Sequence, residues 1–284
     1  MRTNTLTRKK TGFSMLLIMC GIALNAQVKN DVETVFNRMF DSISRVKTMV
    51  YKLHSEERIN EKLINENFTI KYNASPFEVY NKNDDNGVEV LYKNSESKAL
   101  VNPNGFPYAD LHLDPKGKLM RQNQHQILTR TGLSYFGNII QKNLASDSYN
   151  KNVHYQKDTV WEGKPCYKVE ILFPDYKYIN YTVKNNGETI SGIAEKYLLS
   201  DYKIVALNKN LWYDDELKAG QTVVIPSKYA KRAVLIIRKD NYLPTSIEVY
   251  DDKGLFEKYS FTNMYINTRL PEIDFASTNS SYHF

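Results

Sequence analysis

The sequence predicts an α+β protein in which one helix precedes an antiparallel β-sheet and a small βααβ module interrupts that sheet. Segments of alternating apolar and polar residues, separated by turn residues, fill most of residues 68–174 and return at residues 233–267. An apolar pattern with helical spacing comes before them at residues 31–51, and a compact helical stretch at residues 181–226 separates the two series of strands.

The first 26 residues have the layout of a signal peptide. "MRTNTLTRKK" is basic without an acid, and the apolar run "GFSMLLIMCGIALNA" ends in small residues. We predict cleavage after Ala26, with lipid attachment at Cys20 as the rival interpretation. The run is short for a transmembrane helix, and no later segment is long and apolar enough. We therefore expect a periplasmic or secreted protein without a transmembrane segment after cleavage.

Cleavage of this leader changes the charge and the cysteine content. The formal net charge of +6 falls to +2, because the leader holds four basic residues and no acid: Arg2, Arg8, Lys9 and Lys10. A nucleic-acid partner is not expected, since phosphate binding needs a concentrated basic face. Cys166 is the only cysteine left, so the mature chain has no internal disulfide and no cysteine-based metal site.

Residues 31–51 form the first predicted helix. Apolar residues recur at three- and four-residue steps, and charged residues occupy the opposite face. The apolar set is Val32, Val35, Phe36, Met39, Ile43, Val46 and Val50. This face is expected to cover a sheet.

The first series of strands begins with "FTIKY", residues 68–72. The segment "FEVYNKNDDNGVEVLYKN", residues 77–94, predicts a hairpin whose turn is Asp85-Asn86-Gly87, residues that tolerate positive φ. Short strands interrupted by prolines follow at residues 98–117. The spacing then becomes helical over residues 124–144, and strands resume at residues 152–174.

The strands on both sides of the helical module are of the same antiparallel type. The simplest organisation is a module inserted in a loop between two neighbouring strands, since long insertions cost little closure entropy. We predict a host domain of residues 27–178 and 230–284 and a module of residues 179–228.

The module alternates between strand and helix signals. Tyr181 and Val183 indicate a short strand that Gly187 ends. Thr189 and Ser200 are suited to cap two successive helices. The segment "TVVIP", residues 222–226, indicates a second strand.

This order and its motifs resemble the LysM domain. The opening motif is matched by Tyr181, Val183, Gly187, Glu188, Thr189, Ile190, Ile193, Ala194 and Tyr197. The closing motif is matched by Ile204, Asn208, Leu217, Gly220, Gln221, Val223, Ile225 and Pro226. Glu188 stands where the family usually has Asp, the first loop has one extra residue, and Leu198 stands where Gly often ends the first helix.

The LysM resemblance implies binding of glycans that contain N-acetylglucosamine, such as peptidoglycan or chitin, and therefore a protein associated with the cell wall. The implied groove lies between two loops, whose residues are Gly187, Glu188, Thr189, Ile190, Asn208, Lys209, Asn210 and Leu211. Trp212 and Tyr213 follow and are suited to stack on a sugar or to cover the junction with the host. Ile190 fits the module core equally well, and Asn208 fits a turn that bonds its own backbone.

The host sequence resembles the LolA-like lipoprotein-carrier fold, in which an N-terminal helix precedes a strongly curved half-barrel sheet. The resemblance rests on the order of elements and on sequence segments such as "KDNYLPTSIEVYDDKG". These segments look like those of a bacterial family of unknown function that is related to this fold. It implies a lipid or lipoprotein held between sheet and helices. Phe136, Ile139 and Ile140 on a helix and Val234 and Ile236 on a strand are candidates for such a cavity, or for a packed core.

Catalytic residues are not recognisable in the sequence. The five histidines are scattered without metal-ligand spacing, and paired acids such as Asp84-Asp85, Asp214-Asp215 and Asp251-Asp252 fall in turns. We expect no catalytic site, metal or cofactor, and a protein that binds glycan through the module and a lipid, lipoprotein or envelope partner through the sheet. The alternatives are a protein-interaction module with a filled core and a cell-wall enzyme that LysM targets.

Overall fold

The computed structural model describes residues 32–144 and 149–284. The predicted signal peptide, with Cys20, lies outside these residues. A helix, α1, covers residues 32–44. Within the described ranges, no helix combines the length and the apolarity that a membrane crossing requires.

Strands dominate the described chain. Their bounds are β1 Thr48–Ile59, β2 Lys62–Ala74, β3 Phe77–Asn83, β4 Glu89–Lys93, β5 Ala99–Asn102, β6 Leu111–Leu113, β7 Val153–Trp161, β8 Lys164–Leu172, β9 Tyr178–Thr182, β10 Thr222–Pro226, β11 Arg232–Arg238, β12 Pro244–Asp251 and β13 Gly254–Ile266. The further helices are α2 Ser134–Asn143, α3 Tyr149–Asn152, α4 Ile190–Tyr197 and α5 Asp201–Leu207, with short 3-10 turns at Leu128–Arg130 and Glu272–Phe275.

Among the described residues, eleven strands form one open sheet in the order β6-β5-β4-β3-β2-β1-β13-β12-β11-β8-β7. Every ladder in it is antiparallel. Residues of seven neighbouring strands, from Leu113 on β6 to Tyr259 on β13, line one cavity. A flat sheet would place those strands about 29 Å apart. The sheet is therefore strongly curved, which confirms the predicted half-barrel.

Helices α1 and α2 pack in the concave side of this sheet. Phe36 and Met39 of α1 are fully buried in the main core together with residues of α2 and of the strands. Phe136 of α2 lies against Tyr259 of β13, with ring centroids 5.2 Å apart. A Cβ on Gly137 would lie only 3.3 Å from Ile43 Cδ1, so glycine allows the two helices to approach closely.

The convex side carries the C-terminal segment. Tyr80 of β3 stacks on Tyr282 at 3.8 Å between centroids, and Phe275 and Leu91 complete this small cluster. Val79, the neighbour of Tyr80, belongs to the concave core instead, as the alternation of a strand requires.

The helical module lies between β8 and β11, which are hydrogen-bonded neighbours with Arg232 opposite Leu172. Its strands β9 and β10 pair with each other, from Tyr178 opposite Pro226 to Thr182 opposite Thr222. The module has its own core, which includes Ile190, Ile193, Ile204 and Val223. The predicted domain boundaries remain predictions.

The sequence pattern misplaced one element. The predicted helix over residues 31–51 is wrong beyond residue 44, because Thr48 already pairs with Asn73 in strand β1. Val46 and Val50 fit both a helical and an alternating pattern, so periodicity alone did not separate them. The predicted hairpin is confirmed, with Gly87 at φ +76° in its turn.

Candidate functional site

The first loop of the module, between β9 and α4, is organised around one carboxylate. Glu188 Oε1 accepts hydrogen bonds from the backbone N–H groups of Lys184 and Asn185, both at 2.7 Å, and Oε2 accepts one from the Tyr181 hydroxyl at 2.6 Å. These bonds, that of Tyr181 foremost, hold the pKa of Glu188 below its usual range. Gly187, at φ +81°, supplies a left-handed backbone that other residues rarely adopt.

The remaining groups of the first loop also have partners within the module. The Gly187 N–H donates to the Leu217 carbonyl at 3.0 Å, and the Leu217 N–H donates to the Glu188 carbonyl at 2.8 Å. Thr189 Oγ1 accepts from the Gly192 N–H and caps α4, while Ile190 is fully buried. These side chains build the loop.

The second loop, which follows α5, is different. Asn208 Nδ2 donates to the carbonyls of Ile204 and Val224, and Asn208 Oδ1 accepts from the Val224 N–H at 2.8 Å. Asn208 thus joins α5 to β10. Lys209 and Asn210 beyond it are exposed.

A cleft of about 990 Å³ opens beside this second loop. One wall belongs to the module and consists of the exposed side of α5 and residues 209–213. The other wall belongs to the host and consists of residues 58–61, residues 121–123 and the β12–β13 turn with Lys253.

Two buried ion-pair clusters fix the module to the host. Asp201, at the start of α5, is fully buried and pairs with Arg121 and with Arg130, whose Nη2 lies 3.1 Å from Oδ2. The Arg121 guanidinium also covers the Tyr213 ring at 3.5 Å. Both guanidinium groups lose contact with water at this junction. The negative charge of Asp201 therefore offsets the cost of burying their positive charges.

The second cluster joins Lys203 of α5 to two host residues. Asp251 pairs with both Arg58 and Lys203. Burial alone would raise the pKa of Asp251, but the hydrogen bonds from Arg58 and Lys203 outweigh burial and hold the pKa below its usual range.

A buried polar network lies behind the cleft. Glu57 of β1 and Glu257 of β13 are direct cross-strand neighbours, and His125 lies between them. The His125 backbone N–H donates to Glu57 Oε2 at 2.7 Å, and its Nδ1 lies 3.0 Å from Glu257 Oε2. Hydroxyls of Tyr259 and Tyr229 donate to the remaining carboxylate oxygens.

Every oxygen of these two carboxylates therefore accepts a hydrogen bond from a protein donor. The His125 and Glu257 side chains have no exposed surface. Burial foremost raises the pKa of Glu57 above its ordinary value of 4.5. The arrangement is that of a closed structural network.

The cavity on the concave side of the sheet, which residues of seven strands line, has a volume of about 360 Å³. Apolar residues such as Ile70, Val90 and Val101 line part of it, and amides line another part. Two of these amides, Asn81 through Oδ1 and Gln126 through Oε1, have buried oxygens without a hydrogen-bond partner.

Residues 181–226 match the family model described as the LysM domain, and the described fold of this segment is strand, helix, helix, strand. This segment is a LysM domain. The predicted recognition of the module is thereby confirmed.

The host sequence matches a second family model over residues 46–186, described as a protein of unknown function (DUF1571). Among curated proteins, none matches the chain in sequence.

Several solved structures are similar in fold to most of the chain. MucB has 9% identity and a TM-score of 0.41, over 87% of this chain and 63% of that chain. The MucA/MucB complex of Pseudomonas aeruginosa has 10% identity and a TM-score of 0.41, over 87% and 61%. The lipoprotein LppX of Mycobacterium tuberculosis has 10% identity and a TM-score of 0.41, over 84% and 96%.

The chain thus spans less than two thirds of the MucB chains it matches. Likenesses this distant bear on neither ligand nor partner.

The structure divides the eight predicted glycan-binding residues between two places. Those of the first loop and Asn208 hold the LysM domain together, whereas Lys209, Asn210 and Leu211 line the cleft. Trp212 and Tyr213 also line it, and Tyr213 contacts the host through Arg121. The host wall was not predicted, because residues 58–61, 121–123 and 253 carry no shared motif in the sequence.

Proposed function

We propose that the protein is a non-catalytic component of the cell envelope, periplasmic or secreted, that binds an N-acetylglucosamine-containing glycan, namely peptidoglycan, through its LysM domain. The carrying observation is that the second LysM loop borders an open cleft of about 990 Å³. Asn208 holds the base of that loop, so Lys209 and Asn210 are presented in a defined position.

The chemistry of this loop suits an N-acetyl sugar. An N-acetyl group offers a methyl, a carbonyl and an N–H. Leu211 supplies apolar surface in the cleft, and Trp212 beside it offers an aromatic ring of the kind on which sugars stack. Asn210, at φ +84°, turns the backbone at the edge of the cleft.

Retention on purified insoluble peptidoglycan tests the proposal. The intact protein should sediment with the polymer, and the double variant Asn210→Gly/Leu211→Ala, in which glycine keeps the left-handed backbone, should stay largely in solution. Lys218→Ala, an exposed change on the LysM domain outside the cleft, is the matched control. An intact protein that remains in solution would overturn the proposal.

A second binding function is favoured by the concave cavity. At about 360 Å³ it lies at the small end of ligand pockets. We propose a single-chain lipid as its occupant, with a headgroup that donates hydrogen bonds to Asn81 Oδ1 and Gln126 Oε1. Without such a ligand, both oxygens are buried with no hydrogen-bond partner, which is energetically unfavourable. The cavity supports this reading over a completely filled core.

Binding of a monoacylglycerol, whose hydroxyls are donors, tests this second function by native mass spectrometry. The unmodified protein should bind one molecule, and Val101→Trp, which fills the cavity, should bind none. Val160→Trp is the control, because Val160 is 66% exposed on β7. Equal binding by both variants would exclude the cavity as the binding site of the lipid.

The rival of a cell-wall enzyme receives less support. Glu57 and Glu257 are the facing carboxylates that such a rival needs, but all four oxygens are occupied by protein donors. A general acid or base must reach its substrate within hydrogen-bond distance. These observations support the non-catalytic proposal.

A further inference from the structure

We infer that the cleft between the LysM domain and the host binds a glycan together with acidic peptide substituents of that glycan. The preferred ligand is then peptidoglycan that carries its stem peptides, and a neutral N-acetylglucosamine polymer binds less tightly. The inference rests on the proposed glycan binding and names which glycan the site prefers.

The cleft is built by two domains. Lys209, Asn210 and Leu211 of the LysM domain face a host wall that includes Asn123 and Lys253. A volume of about 990 Å³ is at the upper end for small-ligand sites, so it exceeds the need of a sugar on the LysM loop. The remaining space lies toward the host, and its chemistry decides what accompanies the sugar.

The charge of the lining is predominantly positive. Five of its residues are basic and two are acidic: Arg58, Arg121, Lys203, Lys209 and Lys253 against Glu61 and Asp215. The carboxylates that pair with these residues, Asp201, Asp251 and Asp252, together with the further arginine Arg130, reduce the excess to one positive charge. Asp251 is shared by Arg58 and Lys203, and Asp201 is shared by Arg121 and Arg130.

Lys209, one of these five basic residues, is an unpaired ammonium on the opposite wall. Among residues 32–144 and 149–284, no carboxylate lies within ion-pair distance of it. Surplus cations in a cleft attract anionic ligands, and the field is focused where protein surrounds the site. Carboxylates of a peptide attached to the glycan complement this charge, whereas a neutral glycan does not.

Both walls are held in place before a ligand arrives. The Asp201 and Asp251 clusters are buried at the junction, and the Asn60 N–H donates to the Tyr202 hydroxyl at 2.9 Å. A site assembled in advance loses little conformational entropy on binding. The two domains therefore act as one surface rather than as two tethered ones.

Glu61, at the host rim of the cleft, has a backbone conformation that is unfavourable for a residue with a side chain. Ile59 pairs with Lys62, so Asn60 and Glu61 form the two-residue turn between β1 and β2, at φ +48° and +66°. Such turns prefer glycine at the second position, yet Glu61 stands there and accepts from Lys253 Nζ at 2.7 Å. Departures from local preference are expected at functional sites. This pair presents an ammonium and a carboxylate to the charged groups of a peptide.

Isothermal titration calorimetry on the full chain tests the inference with two soluble probes. One is the disaccharide N-acetylglucosaminyl-N-acetylmuramic acid carrying a tetrapeptide, and the other is neutral chitotetraose. The first should bind more tightly, with an affinity that falls with salt. Lys253→Glu, which reverses one charge of the host wall, should weaken it about tenfold and leave the affinity for chitotetraose within about twofold.

Lys231→Glu is the matched control, since Lys231 is an exposed host lysine outside the cleft. Thermal unfolding of both variants shows whether either change disturbs the fold. Equal affinity for the two probes, or unchanged affinity of the cleft variant, would overturn the inference while glycan binding stands. Failure of both probes and of insoluble peptidoglycan to bind would overturn the proposed function as well.

Discussion

Tyr202 of the LysM domain stacks on His125 of the host, with ring centroids 4.3 Å apart. Phe256 of β13 also stacks on the imidazole, with ring centroids 4.2 Å apart. One ring of the inserted domain thus closes a buried polar network of the host. Docking of the LysM domain and protonation of the network are physically linked through this contact.

We expect Tyr202→Ala to destabilise the docked arrangement by about 2 kcal/mol, since it removes a half-buried ring and an aromatic stack. Tyr202→Phe should cost only about 1 kcal/mol, because only the hydrogen bond from the Asn60 N–H is lost. Urea unfolding measures both. The alanine variant should also exchange amide hydrogens faster at residues 173–177 and 227–231. Unchanged exchange there would show that the stack does not hold the domain.

The stability of the protein should fall as pH rises above neutrality. His125 Nδ1 faces Glu257 Oε2 and Nε2 faces the Arg58 carbonyl, so both nitrogens carry protons. Burial alone lowers the pKa of His125, but Glu57 and Glu257 outweigh burial and raise it above 6.5. The folded-state pKa exceeds the unfolded value, so the stabilisation is complete below about 6.5 and is lost as pH rises through the folded pKa.

Urea unfolding between about pH 6 and pH 9 measures this slope, which is about 1.4 kcal/mol per pH unit between the two pKa values. Glu57, whose pKa is also raised, acts in the same direction from 4.5 upward. His125→Gln should flatten the profile. His54→Gln, at a histidine with a 41% exposed side chain, should keep it. A flat profile in the unmodified protein would contradict the doubly protonated imidazole.

Asp201→Asn should destabilise the protein by about 3–5 kcal/mol, because it leaves Arg121 and Arg130 buried without their counter-charge. Asp214→Asn is the control, since Asp214 is exposed and accepts a hydrogen bond from the Ser191 hydroxyl at 3.0 Å. Guanidinium unfolding compares the two. Similar losses for both variants would argue against the Asp201 cluster as the main fastening.

Asn208→Ala should destabilise the LysM domain by about 2 kcal/mol, through loss of its three hydrogen bonds to Ile204 and Val224. Asn210→Gly should leave stability nearly unchanged, because Asn210 is exposed and glycine adopts its backbone conformation at φ +84°, and should weaken retention on peptidoglycan. Thermal unfolding and sedimentation with the polymer separate these effects. The opposite pattern would assign glycan contact to Asn208 and the structural role to Asn210.

Local signals predicted much of the fold. The turn residues Asp85-Asn86-Gly87 gave the β3–β4 hairpin, and Thr189 and Ser200 cap α4 and α5 as expected. Strand β1 was not recognised as such, because its charged residues, such as Glu56 and Arg58, do not look like a buried strand. Its neighbours β2 and β13 make those positions part of the sheet.

The cleft and the buried network were beyond local patterns for a different reason. Glu57 and Glu257 become neighbours only through the β1–β13 register, 200 residues apart in the chain. Asp201 reads as an ordinary first-turn acid of a helix, and its partners Arg121 and Arg130 lie in a host segment with few regular elements. The LysM motif could predict the positions of the two loops, but no motif predicts the host wall that faces the second loop.

The hydrogen-bonded course of the chain into and out of the LysM domain has a mechanical consequence. β8 and β11 pair up to Leu172 and Arg232, the Phe173 N–H donates to the Lys231 carbonyl, and the Ser227 N–H donates to the Lys177 carbonyl before β9 and β10 pair. Tension from a wall-bound polymer would pull on both connecting strands together, at the end of one ladder. Such a load would open rungs one at a time. The Asp201 and Asp251 clusters would share this load with the end of the ladder. The load would therefore act first on the junction, and the LysM domain would separate from the host before the strands in the middle of the sheet were strained.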